Sequence, residues 1–470
     1  MKVIFVSLGC DKNLVDTEHM IGSLAGRELP GSGGAFVFTD DEQEADIAVV
    51  NTCAFIDSAK QESIETILSL AALKEEGNLK ALVITGCLAQ RYQKEVLDEI
   101  PEIDAVIGTT AQDSLLEVLA GLFPEQQNEN NNPEKHLMRF EAPDRAPQAT
   151  GKRVLTTGGH YEYLKIAEGC SKNCSYCAIP SIRGPYRSIP MEQLLAQAEE
   201  LAAQGVRELI LVAQETTIYG VDLYGHRALN ELLSKLCEIE GFEWIRLLYC
   251  YPEEITEELV DFVAAHPKVL PYFDMPIQHI SDDILKKMNR RTTKEELTGK
   301  IRMIREKLPE VTLRTTLITG FPGETEENHQ ELLDFIRETG FDRLGVFTYS
   351  REENTPAASM KPQIPARTKK RRQKELMLAQ QEIAFRKAAS HVGKTYRAII
   401  EGRVTQEAAF DAADLSDSRF VYMARTAMDA PGVDGLLFVQ SDRELMTGDF
   451  IQVRVSGARE YDLIGREIDD

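Results

Sequence analysis

Cysteine is scarce in this chain, with eight in 470 residues, and tryptophan occurs once. So dilute a thiol content excludes a scaffold built on disulfides. No apolar run approaches membrane-spanning length, so no span is expected. Residues 3–8 form a short apolar run with Asp11 and Lys12 soon after, which reads as a first strand rather than a secretory leader. Positive charge is also in deficit. Fifty-three Lys and Arg face 76 Asp and Glu, for a net charge of −23 and a pI near 4.9. Generic binding to a phosphate backbone needs clustered Lys and Arg and is disfavoured; the sign suits a basic partner or serves solubility. At 43% hydrophobic and 27% charged residues the chain reads as globular and soluble, long enough for about three domains. A reducing cytoplasm is the expected location.

Against this scarcity, six of the eight cysteines fall into two patterns. Gly169-Cys170-Ser171-Lys172-Asn173-Cys174-Ser175-Tyr176-Cys177 places three thiols on one loop, with three and then two residues between them. Three thiolates at this spacing can wrap one inorganic centre. A 4Fe–4S cluster normally takes four cysteines, so three leave one iron open. A zinc site is the alternative, with His160 as a candidate fourth ligand, although no second ligand knuckle is visible.

The other three thiols, Cys10, Cys53 and Cys87, are far apart in sequence. Each closes a short apolar run, at 3–6, 46–50 and 81–84, that passes into a helix-like segment, the α/β pattern. In an open parallel sheet those carboxyl ends share one edge, where ligands bind. The placement favours a second metal site over three packing cysteines. Asn13 and Asp16, on the helix after Cys10, either line that site or serve as capping and solvent-facing residues. This first domain covers 1–123. Residues 124–152, polar and proline-punctuated, read as a linker.

From 153 to 391, strand-like runs at 163–167, 208–212, 244–248, 271–275, 311–316 and 344–347 alternate with helical ones, which gives about six βα units of a parallel barrel. The three-thiol loop follows the first strand, at the end where barrel active sites lie. Gln214 and Glu215, Gln278 and His279, and the turn Gly320-Phe321-Pro322-Gly323-Glu324 follow other strands. His279 reads as structural, and Cys237 and Cys250 as packing residues. Arg367 to Lys374 holds six basic residues in eight, read as a solvated helix face with modest potential to touch RNA. Residues 392–470 carry short β-like runs with Gly and Asp turns, which suggests a small β-barrel. They hold nine Lys and Arg against fifteen Asp and Glu, a net of −6. RNA binding is therefore expected to be weak or absent.

The three-cysteine loop, with Tyr176 before its last thiol, resembles the signature of radical S-adenosylmethionine (SAM) enzymes. Ser7-Leu8-Gly9-Cys10-Asp11-Lys12-Asn13, Asn51-Thr52-Cys53-Ala54-Phe55-Ile56 and Thr85-Gly86-Cys87-Leu88-Ala89-Gln90-Arg91-Tyr92 resemble the amino-terminal domain of the methylthiotransferases, a branch of that superfamily, and the last domain resembles the OB-like TRAM barrel. The resemblance implies an α/β chain with an amino-terminal open parallel sheet, a central (βα)-type partial barrel and a carboxyl-terminal TRAM barrel. It implies two 4Fe–4S clusters, one on Cys170, Cys174 and Cys177 that binds and cleaves SAM, and a second on Cys10, Cys53 and Cys87. It places Gln214, Arg246, Gln278 and Gly320 near SAM or substrate. The stretches 244–252, 274–279, 341–347 and 429–435 resemble the branch that modifies the β-carbon of an aspartate in small-subunit ribosomal protein S-twelve, a basic protein. A flavodoxin or ferredoxin would supply electrons. Two other readings stay open: a tRNA adenosine methylthiotransferase, and a non-catalytic metal-bearing protein that binds RNA or the ribosome.

Overall fold

The computed structural model describes residues 1–29, 34–77, 79–123, 136–147, 151–404 and 419–468. Most of the expected linker, with its Asn128–Asn132 run, lies outside the described residues.

The amino-terminal sheet is built from β1 (Lys2–Ser7), β2 (Val37–Phe38), β3 (Ile47–Thr52), β4 (Ala81–Thr85), β5 (Ala105–Ile107) and β6 (Leu137–Arg139). Its order is β2-β1-β3-β4-β5-β6, and every pairing is parallel. All residues of β3 and β4 are buried, as strands covered on both faces require. The strand order reverses at β1, so the crevice between the carboxyl ends of β1 and β3 is a topological switch point, where open α/β sheets bind ligands. Helices α1 (Asp11–Leu24), α2 (Asp57–Glu75) and α3 (Gly86–Tyr92) follow β1, β3 and β4.

The central sheet contains β7 (Tyr161–Lys165), then β10 (Glu208–Val212), β11 (Trp244–Leu247), β12 (Val269–Asp274), β13 (Thr312–Thr319) and β14 (Arg343–Thr348). The order β14-β13-β12-β11-β10-β7 is all parallel, giving an open six-stranded partial barrel. The first strand ends sooner than its apolar run suggests. Two short strands, β8 (Ala167–Glu168) and β9 (Arg187–Ser188), pair antiparallel and clamp the base of the three-cysteine loop. Gly169 adopts φ +78, and a Cβ there would stand 2.1 Å from the Pro185 carbonyl oxygen, so the loop can leave its clamp only through glycine.

Alternate residues of the central strands serve two faces. Leu209, Leu211, Ile245, Leu247 and Phe273 pack with the helices, whereas Ile210, Val212, Trp244 and Tyr272 pack with Ile399, Ala430 and Phe450 of the last domain. That domain is a closed barrel, β15-β16-β17-β19-β18, spanning Thr395–Arg403, Phe420–Thr426, Leu437–Ser441, Asp462–Ile468 and Phe450–Arg459 in that order. No described helix is long and apolar enough to cross a membrane.

The junction between sheet and barrel is polar at its centre. Glu208, fully buried, bridges Arg246 (2.7 Å) and Arg425 of the barrel (2.7 Å). Glu208→Ala leaves two buried guanidinium groups facing each other, and removing one partner of a buried pair costs ~3–5 kcal/mol. A loss of that size in urea denaturation is expected; a loss below ~1 kcal/mol would mean that solvent reaches the site.

The basic run is exposed at Arg367, Lys370, Arg371 and Lys374, as a solvated face would be, but it is also anchored. It lies on the helix Ala366–Ser390, where Arg372 is buried against Glu324 (2.9 Å), Arg371 pairs with Glu326 (2.8 Å) and Lys369 donates to the Tyr349 carbonyl (2.6 Å). These three cations fasten the helix to the central domain.

Candidate active site between two thiol clusters

Cys10, Cys53 and Cys87 stand where β1, β3 and β4 give way to their helices, two of them flanking the switch point. Their approach is close enough that a Cβ on Gly9 (φ +94) would sit 3.0 Å from Cys53 Sγ. Asn13, fully buried, donates from Nδ2 to the Leu8 carbonyl (2.8 Å) and the Thr52 carbonyl (3.0 Å). It therefore ties the Cys10 loop to the Cys53 loop and is neither a cap nor a solvent-facing residue. Ser63 holds the Cys53 backbone, accepting from its amide and donating to its carbonyl, each at 3.0 Å. Burial pushes the Cys53 thiol up to about 11. Burial also raises Cys87, against the pull of the Arg183 guanidinium.

The loop set, Cys170, Cys174 and Cys177, leaves the β8–β9 clamp. The Cys170 amide donates to the Gly184 carbonyl at 3.1 Å, the Cys177 amide to the Cys174 carbonyl at 3.1 Å, and the Ser175 amide to the Met288 carbonyl at 2.9 Å. Tyr176 packs edge-on against Phe321 with ring centroids 6.5 Å apart, which docks the loop on the Gly320–Glu324 turn. Cys174 Sγ lies 4.0 Å from the Tyr251 hydroxyl, and the Arg290 guanidinium lies over the Tyr251 ring at 4.3 Å. Burial pushes the Cys177 thiol up to about 12. Burial raises the Cys170 thiol as well, and thiols so raised become ligands as thiolates beside a cationic centre.

Neither set matches a single zinc ion. Tetrahedral zinc with sulfur ligands brings sulfurs to about 3.8 Å of one another. Among the described residues, the group with three ligand atoms within 4.8 Å is Glu326, His329 and Glu375, and Arg371 pairs with both of those carboxylates. Each cysteine set spreads beyond that span. His160 is also removed as a zinc ligand. It precedes β7, 3.0 Å from Glu401 of the barrel, whereas the cysteines follow the other end of that strand.

The remaining expected residues divide. Gln214 donates from Nε2 to Glu168 (2.9 Å), the residue before Gly169, and its Oε1 is buried without a partner. Gln278 occupies a left-handed position (φ 69), and its Oε1 is likewise unpaired. Glu215, pushed up to about 7 by burial, keeps Oε2 unpaired. Such orphaned buried acceptors are costly and fit a ligand that brings hydrogen-bond donors. Gly320 donates its amide to Glu324 (2.6 Å) and packs on Lys369, so its conformation is set by the turn itself. Arg246 donates from Nε to Glu208 and from Nη1 to the Ala427 carbonyl (3.0 Å) beneath the terminal barrel, and its Nη2 is buried without a partner. His279 is buried and held low, to about 3, by burial; its Nδ1 accepts from the Ser281 amide at 3.0 Å. Cys237 and Cys250 pack in the main core.

Two contacts join the thiol sets, and neither was visible in the sequence. Arg183, on the helix Ile179–Arg183 just after Cys177, reaches back to the amino-terminal domain. Its Nε donates toward Cys87 Sγ at 3.4 Å, its Nη1 to Asp16 (2.9 Å) and Glu168 (3.0 Å), and its Nη2 to Asn13. On the other side, Asp11 accepts from the Tyr249 hydroxyl at 3.1 Å, while Lys12 Nζ lies 3.2 Å from the Tyr249 ring centroid. Tyr249 is two residues from Tyr251, which touches Cys174. Glu168 is the member a reader could have found, since it directly precedes the Gly-Cys of the loop.

Comparison with known proteins agrees with this layout. Residues 164–336 match the model of the radical SAM superfamily, residues 2–108 that of uncharacterized protein family UPF0004, and residues 392–468 that of the TRAM domain. A protein of Lachnoclostridium phytofermentans called ribosomal protein uS12 methylthiotransferase RimO is 53% identical over 465 residues, covering 99% of each chain. One of the same name from Clostridioides difficile is 45% identical over 99% of this chain and 98% of its own. Among solved structures, the radical SAM methyltransferase TsrM of Kitasatospora setae aligns with TM-score 0.53 at 16% identity over 76% of each chain, a likeness of fold alone. Full-length identity of this order is shared ancestry, and the chain belongs to the RimO family of methylthiotransferases within the radical SAM superfamily.

Proposed function

We propose that the chain transfers a methylthio group to the β-carbon of an aspartate in ribosomal protein uS12. The observation that carries the reading is the joining of two three-thiol sites, on separate domains, through Arg183 and Tyr249. Family membership supports the use of SAM and iron–sulfur chemistry; that there are two 4Fe–4S clusters, one per thiol set, is our reading. A three-cysteine cluster with SAM bound supplies one-electron cleavage of SAM and a carbon-centred radical, which can break an unactivated C–H bond that acid–base chemistry would not.

The chain's own residues do the rest. Cys170, Cys174 and Cys177 would hold the SAM-binding cluster, and Cys10, Cys53 and Cys87 would hold a second one that would supply the sulfur. The unpaired acceptors of Gln214, Glu215 and Gln278 orient SAM through its hydrogen-bond donors. Tyr176 and Phe321 exclude water from one side of the loop. The barrel is acidic and so attracts a basic protein such as uS12. A flavodoxin or ferredoxin in the reducing cytoplasm fits as electron donor.

The reading is tested anaerobically with reductant and SAM, offering a peptide copy of the uS12 loop and, separately, a tRNA anticodon stem-loop. A methylthio gain on the peptide aspartate is expected by mass spectrometry. A gain on RNA alone would move the chain to the tRNA-modifying branch.

A further inference from the structure

The buried guanidinium of Arg183 joins the two sites in the scheme above but has no chemical role there, and it touches the thiol set of Cys10, Cys53 and Cys87 from the domain that carries the other set. It is 1% exposed, and its donors go to Cys87, Asp16, Glu168 and Asn13. Lys165 also pairs with Asp16 and Glu168, so the four ionic groups are neutral together. Without Arg183, two carboxylates would face one ammonium, and a net negative charge would stand beside Cys87. A cation that hydrogen-bonds a ligand sulfur stabilises the more negative, reduced form of an iron–sulfur centre, and burial keeps water from screening it.

We propose that Arg183 is a positioning residue that raises the reduction potential of the cluster on Cys10, Cys53 and Cys87, and that its link to Glu168 and Gln214 makes this tuning depend on the docking of the two domains. The inference rests on the second cluster existing. Supplied from the central domain, the donor reaches Cys87 only when the domains are packed as observed, so an undocked amino-terminal domain would hold a cluster that is harder to reduce.

The test uses the full chain with Cys170, Cys174 and Cys177 all replaced by alanine, so that one cluster can form. Iron, sulfide and electron paramagnetic resonance first establish whether the second cluster is there; its absence would overturn the second-cluster reading and this inference with it. When it is present, an anaerobic redox titration follows. Arg183→Gln is expected to lower the ratio of reduced to oxidised cluster about tenfold at a fixed potential, a shift of about 59 mV for a one-electron couple. Arg183→Lys, which keeps the charge, should recover part of that and gives the reading if the glutamine variant does not fold. Asp16→Asn breaks the same domain-bridging pair but keeps the contact with Cys87, so the ratio should not fall. An unchanged ratio in both Arg183 variants, or an equal fall in Asp16→Asn, would overturn the proposal and leave Arg183 a structural brace.

Discussion

Cys174→Ala is expected to abolish reductive cleavage of SAM while leaving the chain folded. The loop does not depend on this thiol for its shape. The β8–β9 pair clamps its base, the Ser175 amide is held by Met288, and the Ser175 hydroxyl by the Lys287 carbonyl at 2.7 Å. Trimming one buried sulfur therefore costs on the order of 1 kcal/mol of stability. Chemically the loss is complete, because a centre already one ligand short of four cannot hold its geometry with two. The yield of 5′-deoxyadenosine under reducing, oxygen-free conditions is the measurement. Retained cleavage would contradict the assignment of this loop.

Cys53→Ala should divide the reaction. SAM cleavage should persist near the unsubstituted rate, because the first thiol set and the acceptors at the ends of β10 and β12 are untouched. Sulfur insertion should stop. The backbone at Cys53 is pinned on both sides by Ser63, so the variant keeps the loop and removes the ligand. The readout pairs 5′-deoxyadenosine with the mass of the uS12 peptide. Continued insertion would show that sulfur arrives by a route independent of the amino-terminal domain.

Cys174 was legible in the spacing of three thiols on one loop, and Cys53 in the way its apolar run ends. Short apolar runs that end in cysteine fix where parallel strands stop, and strand stops decide which side chains share an edge. The six-strand count of the central sheet and the closed terminal barrel were legible on the same grounds. What stayed hidden depends on contacts between distant segments. Arg183 meets a thiol 96 residues earlier in the chain, and no spacing rule connects them. Arg246 lies mid-strand among alternating residues, which tells its face but not that a domain starting some 150 residues later covers it; only the Ala427 contact shows that. His160 lies near the cysteine loop in sequence and at the opposite end of β7 in space. The run from Arg367 looked solvated because charge runs usually are, yet Arg372 is buried by a glutamate 48 residues away.

The account stands on two separate iron–sulfur sites, and metal content tests that most directly. Reconstituted under anaerobic conditions, the unsubstituted chain should bind about eight iron and eight sulfide, and replacing either set of three cysteines by alanine should leave about four of each, with the residual cluster distinguishable by Mössbauer or electron paramagnetic resonance spectroscopy. Zinc in place of iron, or about four iron in the unsubstituted chain and none after loss of one set, would contradict it.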